Sequence, residues 1–184
     1  MSTIPALNHP PELLLRAQGI RAVLFDVDGV FTDGGLLYGD GGETLKRFHV
    51  LDGLGIKLLR EAGITPCVVT GRDGAALRNR LAALQVRHAR FGTEDKLPAA
   101  QVLLAELNLG WHQVAAMGDD WPDLPLLSRA ALACASANAH AEVLARAHHV
   151  TARRGGEGAV RELCDLLLMA SGHYARALAR HLPP

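Results

Sequence analysis

The chain lacks several features that would place it in large functional classes. Its only three cysteines, Cys67, Cys134 and Cys164, are far apart and fit no zinc or redox spacing. They read as small buried hydrophobes that suit a reducing cytosol. Neither sign of charge is in excess, since Lys plus Arg and Asp plus Glu each total 19. No net field therefore recruits nucleic acid or anionic lipid over the whole surface, and any anion site must be local. No apolar run is long enough to cross a bilayer. The opening stretch MSTIPALNHPPELLL has no basic n-region and carries Pro5, Pro10 and Pro11, so it does not read as a secretory signal. The expectations are a cytoplasmic protein with no membrane and no nucleic-acid partner.

What remains is one domain's worth of ordinary globular sequence. A chain of 184 residues can bury about 70% of the surface its unfolded form exposes, enough for a full core without staples. Hydrophobic residues at 49% and charged residues at 21% sit near the soluble average, which argues against disorder. No repeat or low-complexity segment interrupts it. The expected organisation is an N-terminal segment over residues 1–19, a domain over 20–170, and a tail over 171–184 that is loose unless a partner chain holds it.

Along the chain, short apolar runs alternate with helical patterns. IRAVLFDV (Ile20 to Val27) reads as a buried strand opening into a loop. Residues 34–38 and 43–50 flank Gly39-Asp40-Gly41-Gly42, a hairpin signal. Helical spacing begins at Asp52 and stops at Gly63. Further strands are expected over 64–70, 86–91, 114–118 and 130–134, and helices over 74–84, 96–107, 122–128, 139–145 and 158–169. This alternation implies parallel pairing with helices on both faces, a three-layer, Rossmann-like α/β fold.

In open parallel sheets, functional residues gather beyond the carboxyl ends of the strands, where connecting loops converge. The unusual polar residues follow that rule. Asp26 and Asp28 end the first strand, Thr70-Gly71-Arg72 the second, Lys96 opens a helix, and Gly118-Asp119-Asp120 ends a later strand. Three nearby carboxylates, Asp26, Asp28 and Asp119, repel one another unless a cation sits between them. Oxygen-only donors favour magnesium, usually completed by substrate phosphate. Asp26 can then attack a phosphoryl group, and Asp28 can serve as acid and then base. Thr70 and the Gly71 amide can bind phosphate oxygens, and Lys96, one of only three lysines, supplies positive charge to the transferring group.

The segments DVDG (Asp26 to Gly29), VVTGR (Val68 to Arg72), Lys96 and GDDWPD (Gly118 to Asp123) resemble, in order, the four motifs of the haloacid dehalogenase superfamily. The resemblance implies Asp26 as nucleophile and metal ligand. Asp28 would be acid/base and a backbone-carbonyl metal ligand, Thr70 and Lys96 phosphate holders, and Asp119 a metal ligand. Asp120 and Asp123 would support the metal from behind, or directly. DVDGVFTDGGLLYGDGGETLKRFHVLDGLGIKLL and GGEGAVRELCDLLL further resemble the 3-deoxy-D-manno-octulosonate 8-phosphate phosphatases, over roughly residues 20 to 170. Members of that family release phosphate on the route to the lipopolysaccharide sugar Kdo. They are capless tetramers in which a hairpin from each subunit covers a neighbour's site. The same resemblance implies that Thr32, Arg72 and Arg80 contact the sugar or its carboxylate, which a guanidinium can grip in bidentate fashion.

Spacing supports a capless chain independently, because only 41 residues separate Asp28 from Thr70 and 25 separate Thr70 from Lys96. A small substrate must then be enclosed by something else, and a neighbouring subunit is the expected lid.

Two alternatives stand beside this reading. Phosphatases of nine-carbon nonulosonate 9-phosphates share the chemistry but tend to carry Glu after the Thr-Gly pair, where this chain has Arg72. Receiver-type phospho-switches also combine acids, Thr and Lys, but they place the acidic pair first, whereas here the cluster at 119 follows Lys96. Singly, a DxDG string is a common turn, Thr70 an ordinary cap and Arg78 and Arg80 solvated charge. His148-His149 reads as surface or packing. Arg153, Arg154 and the segment Gly155-Gly156-Glu157-Gly158 read as a hinge able to move as a flap.

Overall fold

A computed structural model describes residues 7–183. The elements in order are α1 (Pro11–Ala17), β1 (Ala22–Phe25), β2 (Leu37–Gly39), β3 (Gly42–Leu45), α2 (Val50–Glu61), β4 (Thr65–Val69), α3 (Ala75–Ala83), β5 (His88–Arg90) and α4 (Lys96–Glu106). They continue with β6 (Val114–Gly118), α5 (Leu124–Leu127), β7 (Leu132–Ala135), α6 (Ala141–Leu144), β8 (His149–Val150), α7 (Ala159–Ala170) and α8 (Tyr174–Ala179). Six strands form one parallel sheet in the order β5-β4-β1-β6-β7-β8, and β2 pairs with β3 as a separate antiparallel hairpin.

The alternation along β1 shows why the sheet is covered on both sides. Val23 and Phe25 join one core cluster with Leu59 of α2, Leu77 of α3 and Leu163 and Leu167 of α7. Ala22 and Leu24 point the other way, into a second cluster with Leu103 of α4, Leu126 of α5 and Val143 of α6. Successive strand residues face opposite sides, so a strand apolar at every position must be sandwiched. The three-layer α/β architecture follows, and among the described residues no cap domain interrupts it.

The helix start expected at Asp52 lies two residues later than observed, because His49 Nδ1 accepts the Leu51 amide at 3.3 Å and opens α2 at Val50. Asp52 itself is buried and accepts the Arg161 amide at 2.8 Å, pinning the first turn of α7 to α2. Within the N-terminal segment, helix α1 opens at Pro11 with Pro10 at its cap, since proline suits a helix's first position. One terminal expectation needs correction. The tail expected to be loose after Gly172 forms α8, with Tyr174 and Ala177 packed on the core and Arg180 Nη1 2.9 Å from Glu61 Oε2. Among the described residues no helix is long and apolar enough to cross a membrane.

Candidate active site

Four loops meet at the carboxyl rim of the central strands. Asp26 follows β1, its amide donating to the Met117 carbonyl at 3.0 Å. Thr70 follows β4, Asp119 follows β6, and Lys96 begins α4, whose N-terminus Asp95 caps through the Leu97 amide at 3.4 Å. Asp26, Asp28, Thr70, Gly71, Arg72, Lys96, Asp119, Asp120 and Asp123 line one open cleft there. Strand order explains the convergence: β1 lies between β4 and β6, so the loops after these three strands are neighbours.

At its floor, the buried Lys96 Nζ donates to Asp26 Oδ1 at 2.6 Å and to Asp123 Oδ1 at 2.7 Å. The other Asp123 oxygen accepts the amides of Asp119 at 3.0 Å and Asp120 at 3.3 Å. Asp123 thereby ties the loop after β6 to Lys96. Asp120 is exposed, and its Oδ1 caps the turn Trp121–Asp123 through the Trp121 amide at 2.8 Å.

Asp26, Asp119 and Asp123 offer oxygens that all lie within 4.8 Å of one another. Burial, reinforced by Asp123, pushes the Asp26 carboxyl up to about 6 against the pull of Lys96. Burial, with Asp26 and Asp123 close by, pushes Asp119 up to about 8. One ammonium does not neutralise three acids, so the group is short of positive charge. Oxygen donors this close, two of them reluctant to ionise alone, fit a hard divalent cation such as magnesium.

The carboxylate of Asp28 does not join that group. It turns to Lys46, which follows β3 and forms an ion pair with Asp28 Oδ1, and Arg72 Nε approaches Asp28 Oδ2 at 3.6 Å. The expectation that the side chains of Asp26, Asp28 and Asp119 face one point is therefore corrected. A nearby ammonium from the hairpin holds the Asp28 carboxylate instead. Lys46 also pairs with Glu43 Oε1 at 2.7 Å, and Arg72 Nη1 reaches the Tyr38 hydroxyl at 3.4 Å. Lys46, Glu43 and Tyr38 escaped the sequence reading, although Lys46 belongs to the same three-lysine set as Lys96. Thr93 and Glu94, before α4, also line the cleft unforeseen.

Two expected sugar contacts are not among the lining residues. Thr32 is buried, and its hydroxyl accepts the amides of Gly29 and Gly34, each at 3.3 Å, so it ties the loop together. Arg80 lies behind α2, with Nη2 donating to the His49 carbonyl at 3.2 Å and its guanidinium 5.8 Å from the Phe48 ring. Of the three, only Arg72 reaches the cleft.

The expected hinge at Gly155 to Gly158 is instead a wedge under the loop that follows β1. Gly155 N donates to Asn138 Oδ1 at 2.7 Å, Gly156 N to the Val30 carbonyl at 3.0 Å, and the buried Ser136 hydroxyl to the Gly29 carbonyl at 3.0 Å. A Cβ at Gly155 would lie 1.8 Å from the Gly29 carbonyl oxygen, and one at Gly29 2.0 Å from Asp119 Oδ2. The backbone between Asp28 and Val30 is thus sandwiched between an acid and a glycine.

With this geometry in hand, comparison with known proteins places the chain. The family model for haloacid dehalogenase-like hydrolases matches residues 92–163. The 3-deoxy-D-manno-octulosonate 8-phosphate phosphatase of Yersinia pestis is 44% identical over 159 residues, 86% of this chain and 85% of that protein. The Moraxella catarrhalis phosphatase of the same name, solved with magnesium, phosphate and KDO, superposes with a TM-score of 0.91 at 34% identity. That match covers 95% of this chain and 100% of the other. The cobalt-bound Haemophilus influenzae protein gives a TM-score of 0.84 at 40% identity, covering 86% and 93%. The motifs read along this sequence, the capless α/β core and the acid cluster at its rim agree with these matches: the chain belongs to the 3-deoxy-D-manno-octulosonate 8-phosphate phosphatase family of haloacid dehalogenase-like hydrolases.

Proposed function

We propose that this chain is a magnesium-dependent phosphatase that hydrolyses 3-deoxy-D-manno-octulosonate 8-phosphate to Kdo and phosphate through a phosphoaspartate on Asp26. The observation carrying this reading is the buried Lys96 bridge, which presents Asp26 beside Asp119 at the end of β1. Magnesium, held by Asp26, Asp119 and the Asp28 carbonyl, would supply positive charge that lets a carboxylate approach a phosphate.

An Asp26 oxygen attacks phosphorus. The bond from phosphorus to the sugar oxygen breaks, its electron pair staying on that oxygen, which takes the proton of the Asp28 carboxyl. Water then attacks phosphorus and gives a proton to the Asp28 carboxylate, and the phosphorus–Asp26 bond breaks to return the free carboxylate. Lys96, Thr70 and the Gly71 amide bind the phosphate oxygens, and Arg72 faces the sugar acid.

The reading extends to a cytoplasmic homotetramer in which each hairpin covers a neighbour's cleft. Leu37, Tyr38 and Leu45 on the hairpin and Val50 just after it are 53%, 63%, 64% and 77% exposed, an apolar surface suited to burial against another subunit. The test is phosphate release with magnesium across a panel of sugar acid phosphates. The eight-carbon 8-phosphate is expected to be turned over with the highest kcat/KM. Equal or better turnover of nonulosonate 9-phosphates would reassign the substrate, and a lasting phosphoaspartate without phosphate release would make the chain a switch.

A further inference from the structure

We propose that Lys46 is a positioning residue for Asp28, holding its carboxylate where the leaving oxygen departs; this rests on the acid/base reading of Asp28 above. Asp28 sits on a glycine-rich loop with its side chain 20% exposed. Among the described residues, the contact from Lys46 is the only hydrogen bond its carboxylate accepts. Arg72, 42% exposed, comes no nearer than 3.6 Å through Nε, beyond hydrogen-bond length. Without Lys46 the carboxylate would be free to rotate toward water or toward Arg72, and an acid must sit within hydrogen-bond reach of the atom it protonates.

The environment of Lys46 argues that its charge serves Asp28 rather than the hairpin. Its side chain is only 4% exposed, and burying an ammonium is costly unless it is fully paired. An apolar residue would fasten the hairpin to the core with less penalty. Instead Glu43, three residues earlier, orients the ammonium from one side at 2.7 Å, and the ammonium reaches across to the catalytic loop. The hairpin therefore contributes to the site of its own subunit, whatever it covers on a neighbour.

The reaction offers a clean test, because an alkyl leaving group needs a proton as its bond to phosphorus breaks whereas a nitrophenolate does not. The value of kcat/KM reports steps through that bond cleavage only. Lys46→Met is expected to lower kcat/KM for an alkyl sugar-acid phosphate about 100-fold, and for p-nitrophenyl phosphate by less than about threefold. Magnesium affinity, measured by calorimetry without substrate, is expected to stay unchanged, and Lys46→Arg to retain most of the lost activity. Equal losses on both substrates, in a sample whose magnesium binding shows an intact site, would overturn the proposal. Should Lys46→Met fail to fold, Lys46→Gln and Glu43→Gln carry the same comparison, and the absence of any leaving-group dependence in both would overturn it. Asp28→Asn is the control: if it too loses both substrates equally, the acid/base reading fails, and if it alone discriminates, only the role of Lys46 does.

Discussion

Asp26 and Asp123 lie on either side of a single ammonium, with Lys96 Nζ 2.6 Å from one carboxylate and 2.7 Å from the other. All three side chains are nearly inaccessible, so this bridge holds the end of β1 against the loop after β6 in a medium where unpaired charge is expensive. Lys96→Met leaves three acids with no cation. The expected cost is about 3 kcal/mol of stability in urea unfolding without metal. Phosphatase activity should fall about 100-fold or more, because charge at the transferring group is lost.

Asp26→Asn tests covalent catalysis directly. The amide is nearly isosteric and can still meet Lys96 through its oxygen, so circular dichroism and the melting temperature should change little. Turnover should fall below detection, because an amide is a poor nucleophile. Appreciable phosphate release from a pure sample would rule out a phosphoaspartate at this position.

Metal and pH are linked through the raised acids. Asp26 and Asp119 are pushed up to about 6 and about 8 in the metal-free fold, whereas an unfolded chain ionises them near 4. The folded state therefore binds more protons across that window, so its stability is full at low pH and falls as pH rises toward 8. Magnesium replaces those protons. The difference in melting temperature between magnesium and chelator should thus grow from pH 5.5 to pH 8. Taking the difference cancels His9 and His148, whose lowered values act in the opposite direction. A difference that shrinks with pH would contradict the assignment.

Gly155→Ala introduces a methyl 1.8 Å from the Gly29 carbonyl oxygen, where the wedge meets the catalytic loop. The loop must shift, at an expected cost of about 1–3 kcal/mol. Because Gly29 separates the wedge from Asp119, magnesium affinity should fall together with the melting temperature. A melting temperature that falls with unchanged magnesium affinity would mean the loop absorbs the shift without disturbing Asp119.

The exposed apolar hairpin predicts assembly. Light scattering should report a tetramer, and Leu37→Glu with Leu45→Glu should dissociate it while lowering kcat/KM for the sugar acid substrate. A fully active monomer would remove the shared-site reading.

The local signals that were legible are those with a one-dimensional cause. Short runs apolar at every position and followed by turn residues, as in Ala22 to Phe25, read as strands buried on both faces, and the acids and Thr70 fall at their ends because loops begin there. The family resemblance alone put Thr32 and Arg80 at the sugar, and neither lines the cleft of this subunit. Resemblance in sequence does not say which way a side chain points, and both turned to satisfy backbone groups. The hinge expected at Gly155 failed for a related reason, since glycine marks flexibility and close approach with the same letter.

The sequence alone determined the parallel α/β order, the absence of room for a cap, and the set of residues able to transfer a phosphoryl group, because periodicity, spacing and residue chemistry are properties of a linear chain. Tertiary structure decided which acids share a point. It grouped Asp26 with Asp119 and Asp123 and gave Asp28 to Lys46. That choice turns on distances of a few ångströms between segments remote in sequence, which the packing of β1 between β4 and β6 and the reach of the hairpin set.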